Sequence, residues 1–226
     1  MESACEFARE SDVMTGFVRT PRKVAVGIVA CVFLWAGGLL VHPVDVAHAG
    51  DATDAMKSTI DEVLKVLRDK ELKQPPKADE RRQLLEKVVG ERFDYPEMSR
   101  RSLGAAWTNL NDKERDEFVG LFRTLLVNTY ADKIESYSGE GVQYLSERTE
   151  KEYAEVRTKV LTGKTEIPLD YRLLHKASAW RVYDVVVDGV SLVNNYRGQF
   201  AKILRSGTFA DLVDQLRKKS DKIKAP

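Results

Sequence analysis

Cysteine is almost missing from this chain. There are two, Cys5 and Cys31, and none follows. No disulfide, thiolate metal site or cysteine nucleophile is therefore available to the remainder of the sequence. Histidine is nearly as scarce: His42 and His48 sit close to the N-terminus, and His175 stands alone after them. A lone histidine supports neither a histidine-based triad nor a histidine metal cluster, so no metal site and no cofactor are expected. The spacings HExxH, GxSxG and GxGxxG are absent, as is a phosphate-binding P-loop. An excess of charge of one sign is missing too, with 36 Lys+Arg against 35 Asp+Glu. A dedicated nucleic-acid binder would carry a basic stripe, so no nucleic-acid partner is expected. There is no internal repeat and no low-complexity tract.

One long uncharged run is present, from Val24 to Val41. Arg19, Arg22 and Lys23 precede it, and the small-residue site Ala47-His48-Ala49 follows it. A positive segment, an apolar segment and an A-x-A site in that order describe a secretory signal. The expected division is a signal peptide over residues 1–49 and a single domain over residues 50–226. Two rivals remain open. The run is long enough to serve as an uncleaved membrane anchor. Ile28-Val29-Ala30-Cys31 has the look of a lipoprotein box, although apolar sequence continues well past Cys31. No second long apolar run exists.

The first half of the presumed domain has helical periodicity. Ala55, Met56, Ile60, Val63, Leu64 and Leu67 fall on one face, and Pro75-Pro76 ends that helix. Leu84, Leu85, Val88 and Val89 mark a second helix ending near Phe93. Asp94-Tyr95-Pro96 reads as a turn, with Pro96 opening a short helix through Leu103. Asn111 and Glu114 have capping-box spacing ahead of a long helix carrying Phe118, Phe122, Leu125, Leu126, Tyr130, Ile134 and Tyr137. The second half changes period. Val142–Glu147, Tyr153–Leu161, Ile167–Leu173 and Trp180–Val187 read as strands joined by short turns, hence antiparallel. Two helices close the chain, Asn194–Arg205 and one capped by Thr208 with Asp211. The fold class is α+β: N-terminal helices, a curved antiparallel sheet and C-terminal helices.

Four carboxylates could serve as a general acid or base: Asp94, Asp170, Asp184 and Asp188. Asp94 and Asp188 suit a cap and a turn, and Asp170 faces away from the apolar stripe. Asp184 interrupts the apolar strand Val182–Val187, and a carboxylate buried there needs a partner. Arg197 is the expected one, and both are assigned to support of the fold. Large apolar side chains occur on both layers: Phe118, Phe122, Leu125 and Tyr130 on the long helix, Val156, Val160, Tyr171, Leu173 and Trp180 on the sheet, Tyr196 and Phe200 on the later helix. Periodicity alone does not separate a filled core from an apolar cleft, the usual form of a small-molecule site.

The segment Trp180-Arg181-Val182-Tyr183-Asp184-Val185-Val186-Val187-Asp188-Gly189-Val190-Ser191, running into Tyr196-Arg197-Gly198-Gln199-Phe200, resembles the signature of the MlaC family, the periplasmic component of the Mla phospholipid-transport (toluene-tolerance) system. Phe93-Asp94, Leu103-Gly104 with Trp107, and Phe118 to Phe122 resemble its earlier part. The resemblance covers Asp51 to Lys222. It implies a nuclear-transport-factor-like fold enclosing an apolar cavity between sheet and helices. It implies a periplasmic carrier, not an enzyme, that binds phospholipid acyl chains and shuttles lipid between an inner-membrane ABC transporter complex and an outer-membrane lipoprotein complex. A branch associated with hopanoid biosynthesis makes a polycyclic lipid a second cargo. An isomerase- or dehydratase-type enzyme on the same fold is a further alternative. Given a cavity, the eleven apolar residues named above are its lipid-binding candidates, with Tyr130, Tyr171 and Tyr196 at the mouth.

Overall fold

A computed structural model of the chain describes residues 50–137, 141–163 and 165–224. The expected signal peptide over residues 1–49, with its A-x-A site and the Val24–Val41 run, lies outside the described residues. Among the described residues, no helix is long and apolar enough to cross a membrane.

Helix α1 (Asp51–Arg68) buries Ala52, Met56, Thr59, Leu64 and Leu67 along one face. A short 3-10 turn at Pro75–Lys77 leads into α2 (Ala78–Arg92). Helix α3 (Tyr95–Leu103) begins one residue earlier than the proline suggested: Asp94 is its N-cap and accepts from the Glu97 amide, which places Pro96 in the second position of the first turn. The short 3-10 segment Gly104–Asn109 was not foreseen. Helix α4 (Asp112–Glu135) opens on the expected capping box, with Asn111 and Glu114 exchanging side-chain and backbone bonds.

Five strands follow in simple meander order: β1 (Gly141–Glu150), β2 (Tyr153–Thr162), β3 (Thr165–Lys176), β4 (Ala179–Val187) and the two-residue β5 (Val190–Ser191). All neighbours pair antiparallel. Bulges between Tyr144 and Ser146 and between Arg172 and Leu173 break the register and bend the sheet. The Asp188-Gly189 turn has positive φ at both residues, 49° and 81°, as a tight two-residue hairpin loop requires. Helices α5 (Leu192–Ser206) and α6 (Phe209–Lys224) complete the chain. Thr208 and Asp211 cap α6 reciprocally.

The interior is divided. One cluster lies among helices α3 to α6 and holds Met98, Phe118, Phe122, Leu125, Tyr196, Phe200, Leu212 and Leu216. A second lies between α1 and one face of the sheet, with Met56, Val156, Tyr171, Leu173, Trp180, Val182 and Val185, and a small third one holds Leu64, Leu67 and Leu85. Phe93 touches the first two. A parallel bridge from Phe93 to Val182 joins the end of α2 to β4. Arg92 reinforces that seam by donating to Thr59 Oγ1 and to the Trp180 carbonyl, each at 2.8 Å.

The N-terminus of α1 is held from across the fold. Glu147 on β1 accepts from the Gly50 and Thr53 amides and from Thr53 Oγ1, at 2.6 to 2.9 Å. A carboxylate at a helix N-terminus complements the dipole and satisfies otherwise orphaned amides. Partial burial alone would raise the Glu147 carboxyl. The hydrogen bonds from Thr53, Gly50 and Thr149 outweigh it and leave the group below its ordinary value of 4.5. A lowered pKa means that this tether is intact above pH 4.5 and is lost as the pH falls through the folded-state value. Thermal melts of the wild type should therefore lose stability on acidification below pH 4.5. Glu147→Gln should show a smaller loss over the same interval; an identical acid dependence in the variant would remove Glu147 from this role.

Candidate functional site

Asp184 is buried at 3% exposure, as its position in an apolar strand suggested. Its partner is not Arg197. Oδ2 accepts from Ser191 Oγ at 2.6 Å and from Arg172 Nη1 at 3.1 Å, and Oδ1 accepts from the Val193 amide at 3.0 Å. Ser191 Oγ in turn accepts from the Asn194 amide. Cross-strand register explains the correction: Arg172 stands opposite Asp184 on β3, so the two side chains share a face. Arg197 lies on the far side of the same pocket, against Gly104. Both Asp184 oxygens are engaged, and two of their bonds reach the first turn of α5. The carboxylate therefore sets where α5 begins and which way it is rotated.

That rotation has a consequence. Tyr196, Gln199, Phe200 and Ile203 form an i, i+3, i+4, i+7 stripe on α5, and Leu212, Gln215, Leu216 and Lys219 form the same stripe on α6. With Leu125 of α4 these residues, together with Lys218, line a hollow of about 310 Å³. That volume is at the lower end of the range of small-molecule sites, roughly 300 to 1,000 Å³. The floor is aromatic: Phe122 meets Tyr196 and Phe200 edge-on at 5.1 and 5.5 Å, and Phe118 meets Phe200 edge-on at 5.5 Å. The rim is polar, with Gln199, Gln215, Lys218 and Lys219. Partial burial of the Lys219 ammonium lowers its pKa. Burial pushes the Tyr196 phenol up, a shift opposed by its hydrogen bond with Thr129. Tyr130 is pushed up by burial first and by neighbouring Tyr196 second. These phenols stay protonated, suited to donating a hydrogen bond and not to abstracting a proton.

The eleven candidate residues do not form one surface. Leu125, Tyr196 and Phe200 line the hollow together. Phe118 and Phe122 lie beneath it, at 0% exposure, and Tyr130 packs half-buried against the same cluster. Val156, Tyr171, Leu173 and Trp180 belong to the separate cluster under α1. Val160 is half-buried near the far end of β2. Sequence reasoning missed Ile203, Leu212 and Leu216 as lining residues, and missed the rim entirely. The i, i+3, i+4, i+7 pattern on α6 carried that signal, but only the packing of α6 against α4 and α5 makes it a wall.

The combination of a meander sheet with helices around an apolar interior belongs to an α+β class represented by the phospholipid-binding protein from Ralstonia solanacearum, whose structure was solved in complex with a phospholipid. The two superpose with a TM-score of 0.70 at 25% sequence identity, covering 77% of this chain and 99% of that one. The sequence profile of the MlaC protein family matches residues 57–218, and the chain belongs to that family. The intermembrane phospholipid transport system binding protein MlaC of Haemophilus influenzae is 23% identical over 121 residues, 51% of this chain and 56% of that protein. The matched stretch thus spans little more than half of that relative's length. The family expected from Trp180 to Phe200 is the one found.

Removing the Asp184 carboxylate leaves Arg172 Nη1, Ser191 Oγ and the Val193 amide without the acceptor it supplies. Asp184→Ala should destabilise the protein by about 3 kcal/mol, as breaking a buried charged network does. Arg197→Gln, on an exposed side chain outside that network, should cost less than about 0.5 kcal/mol. Urea unfolding of both variants checks this ordering, and equal losses would reinstate Arg197 as the Asp184 partner.

Proposed function

We propose that this protein is a periplasmic lipid carrier that holds phospholipid acyl chains in an apolar cavity and shuttles them between an inner-membrane ABC transporter complex and an outer-membrane lipoprotein complex. The observation that carries the reading is the superposition over 99% of a protein solved with a phospholipid bound. Membership of the MlaC family supports it independently. The hollow between α4, α5 and α6 is the proposed entry for a chain, since its floor is aliphatic and aromatic and its rim bears two lysines and two glutamines. An acyl tail fits the floor, and a headgroup phosphate fits the rim.

The physics of the task sets the design. Each buried methylene is worth about 0.8 kcal/mol, so a diacyl lipid leaves a bilayer only for another apolar environment. A carrier must approximate the bilayer as a solvent without exceeding it greatly, or release fails. Aliphatic and aromatic side chains with neutral buried phenols provide that environment. Asp184 with its three donors is better suited to holding α5 than to acid–base chemistry, which favours a carrier over an isomerase or dehydratase.

Native mass spectrometry of protein purified from its host should show one bound phospholipid. Delipidated protein should take up labelled phospholipid from vesicles. Ile203→Trp adds bulk at a half-buried position on the hollow's wall. It should reduce loading several-fold while the melting temperature changes little. Wild-type protein that neither carries nor takes up lipid would sink the carrier reading. Full loading of Ile203→Trp would move the chain-binding surface away from this hollow.

A further inference from the structure

Helix α5 has a second face. Asn194 and Arg197 point away from the apolar hollow into a separate polar pocket of about 440 Å³, completed by Arg100, Arg101 and Gly104 of the α3 end, Arg172 of β3, and Tyr183 and Asp184 of β4. Arg172 alternates with Tyr171 and Leu173, which are buried under α1, so the pocket lies on the opposite face of the sheet from α1. Apart from Val193, every lining side chain is polar or is the bare Gly104.

Four guanidinium groups converge there from three elements. Glu97 takes Arg100 through two bonds and Arg101 through its Nε. Arg101 is also stacked on Tyr183, 3.9 Å from the ring centroid, which holds its plane. Arg172 gives Nη1 to Asp184, with Glu155 near its Nε at 3.6 Å. The three nearby carboxylates are therefore each committed, while Nη1 of Arg100, both Nη atoms of Arg101 and Nη2 of Arg172 take part in none of these bonds. Arg197 makes no ion pair or hydrogen bond among the described residues, although several carboxylates lie on neighbouring elements. Its guanidinium lies beside Gly104, whose φ of +57° favours glycine; a Cβ there would stand 3.1 Å from both Nε and Nη2 of Arg197.

We propose that this pocket is a second binding site, distinct from the apolar hollow, that recognises a phosphate-type oxyanion. A carboxylate is planar and is satisfied by one guanidinium fork. A tetrahedral phosphate has oxygens in several directions and takes donors from several elements at once, which matches arginines approaching from α3, β3 and α5. The pocket's volume is ample for a phosphate ester with a small organic substituent. The same chemistry is offered by a soluble organophosphate and by a phospholipid headgroup at a bilayer surface.

Equilibrium titration of the full-length protein with inorganic phosphate and with glycerol 3-phosphate tests the site. Arg197→Gln should weaken binding at least about tenfold, the loss typical of removing a charged hydrogen-bond partner. Lys202→Gln, an exposed change on the same helix outside the pocket, should leave binding unchanged. Binding should weaken as sodium chloride is raised. Co-sedimentation with phosphatidylcholine vesicles, with and without phosphatidylglycerol, separates the two sources. Arg197-dependent binding to soluble phosphate without vesicle association identifies a soluble phosphate ester. Arg197-dependent association with the anionic vesicles as well identifies a membrane headgroup. Phosphate binding that is absent in the wild type, or equal in wild type and Arg197→Gln, overturns the proposal. Capture of an acidic peptide by the wild type but not by Arg197→Gln, without phosphate binding, overturns it in favour of a protein partner. Lipid co-purified in the hollow should be the same in wild type and Arg197→Gln. This readout keeps failure of the anion site apart from failure of the carrier reading.

Discussion

The buried carboxylate of Asp184 governs the functional half of the fold. A charge buried in an apolar strand needs hydrogen-bond donors on both carboxylate oxygens, and here the donors come from β3, from the N-cap of α5 and from the α5 backbone. One group thereby ties the sheet to the start of a helix. The pitch of that helix then carries the constraint outward: Tyr196, Phe200 and Ile203 turn to the apolar hollow, and Asn194 and Arg197 turn to the polar pocket. A rotation of α5 by one residue, about 100°, would carry both faces away from their pockets.

The interior divides because its two larger clusters answer different demands. Beneath α1 the sheet presents Val156, Leu173 and Val182 at 0% exposure, packed as a filled layer that supports the curvature. Among α3 to α6 the aromatic rings of Phe118, Phe122, Tyr196 and Phe200 meet mostly edge-on, a preferred arrangement for aromatic pairs. Helix α6 covers that layer incompletely, and the hollow lies where the cover is thin. The ion pair from Arg217 to Glu117 links α6 to α4.

Much of the architecture was legible from local chemistry. The capping box at Asn111 and Glu114, the break at Pro75-Pro76, the Asp188-Gly189 turn and the period change after Gly141 each specify backbone geometry through a few adjacent residues. The site was legible only in part. Leu125, Tyr196 and Phe200 were found because apolar periodicity marks a buried face. Lys218, Lys219, Gln199 and Gln215 were not, because a polar residue beside a cavity looks in sequence like any solvated residue. The Asp184 partner was misassigned for a related reason. Arg172 and Arg197 stand at almost equal separations from Asp184 along the chain, 12 residues before it and 13 after it, and only the β3–β4 register decides which one faces it.

Alternation and helical pitch, caps, turns and the Trp180–Phe200 signature are properties of neighbouring residues, and they alone determined the α+β class, the order of elements and the family. Which apolar faces meet and fill, which leave a hollow, and which arginines converge on a shared pocket depend on contacts between residues far apart in the chain. Those were decided only by tertiary packing, because burial and ion pairing are set by distance in space and not by position along the sequence.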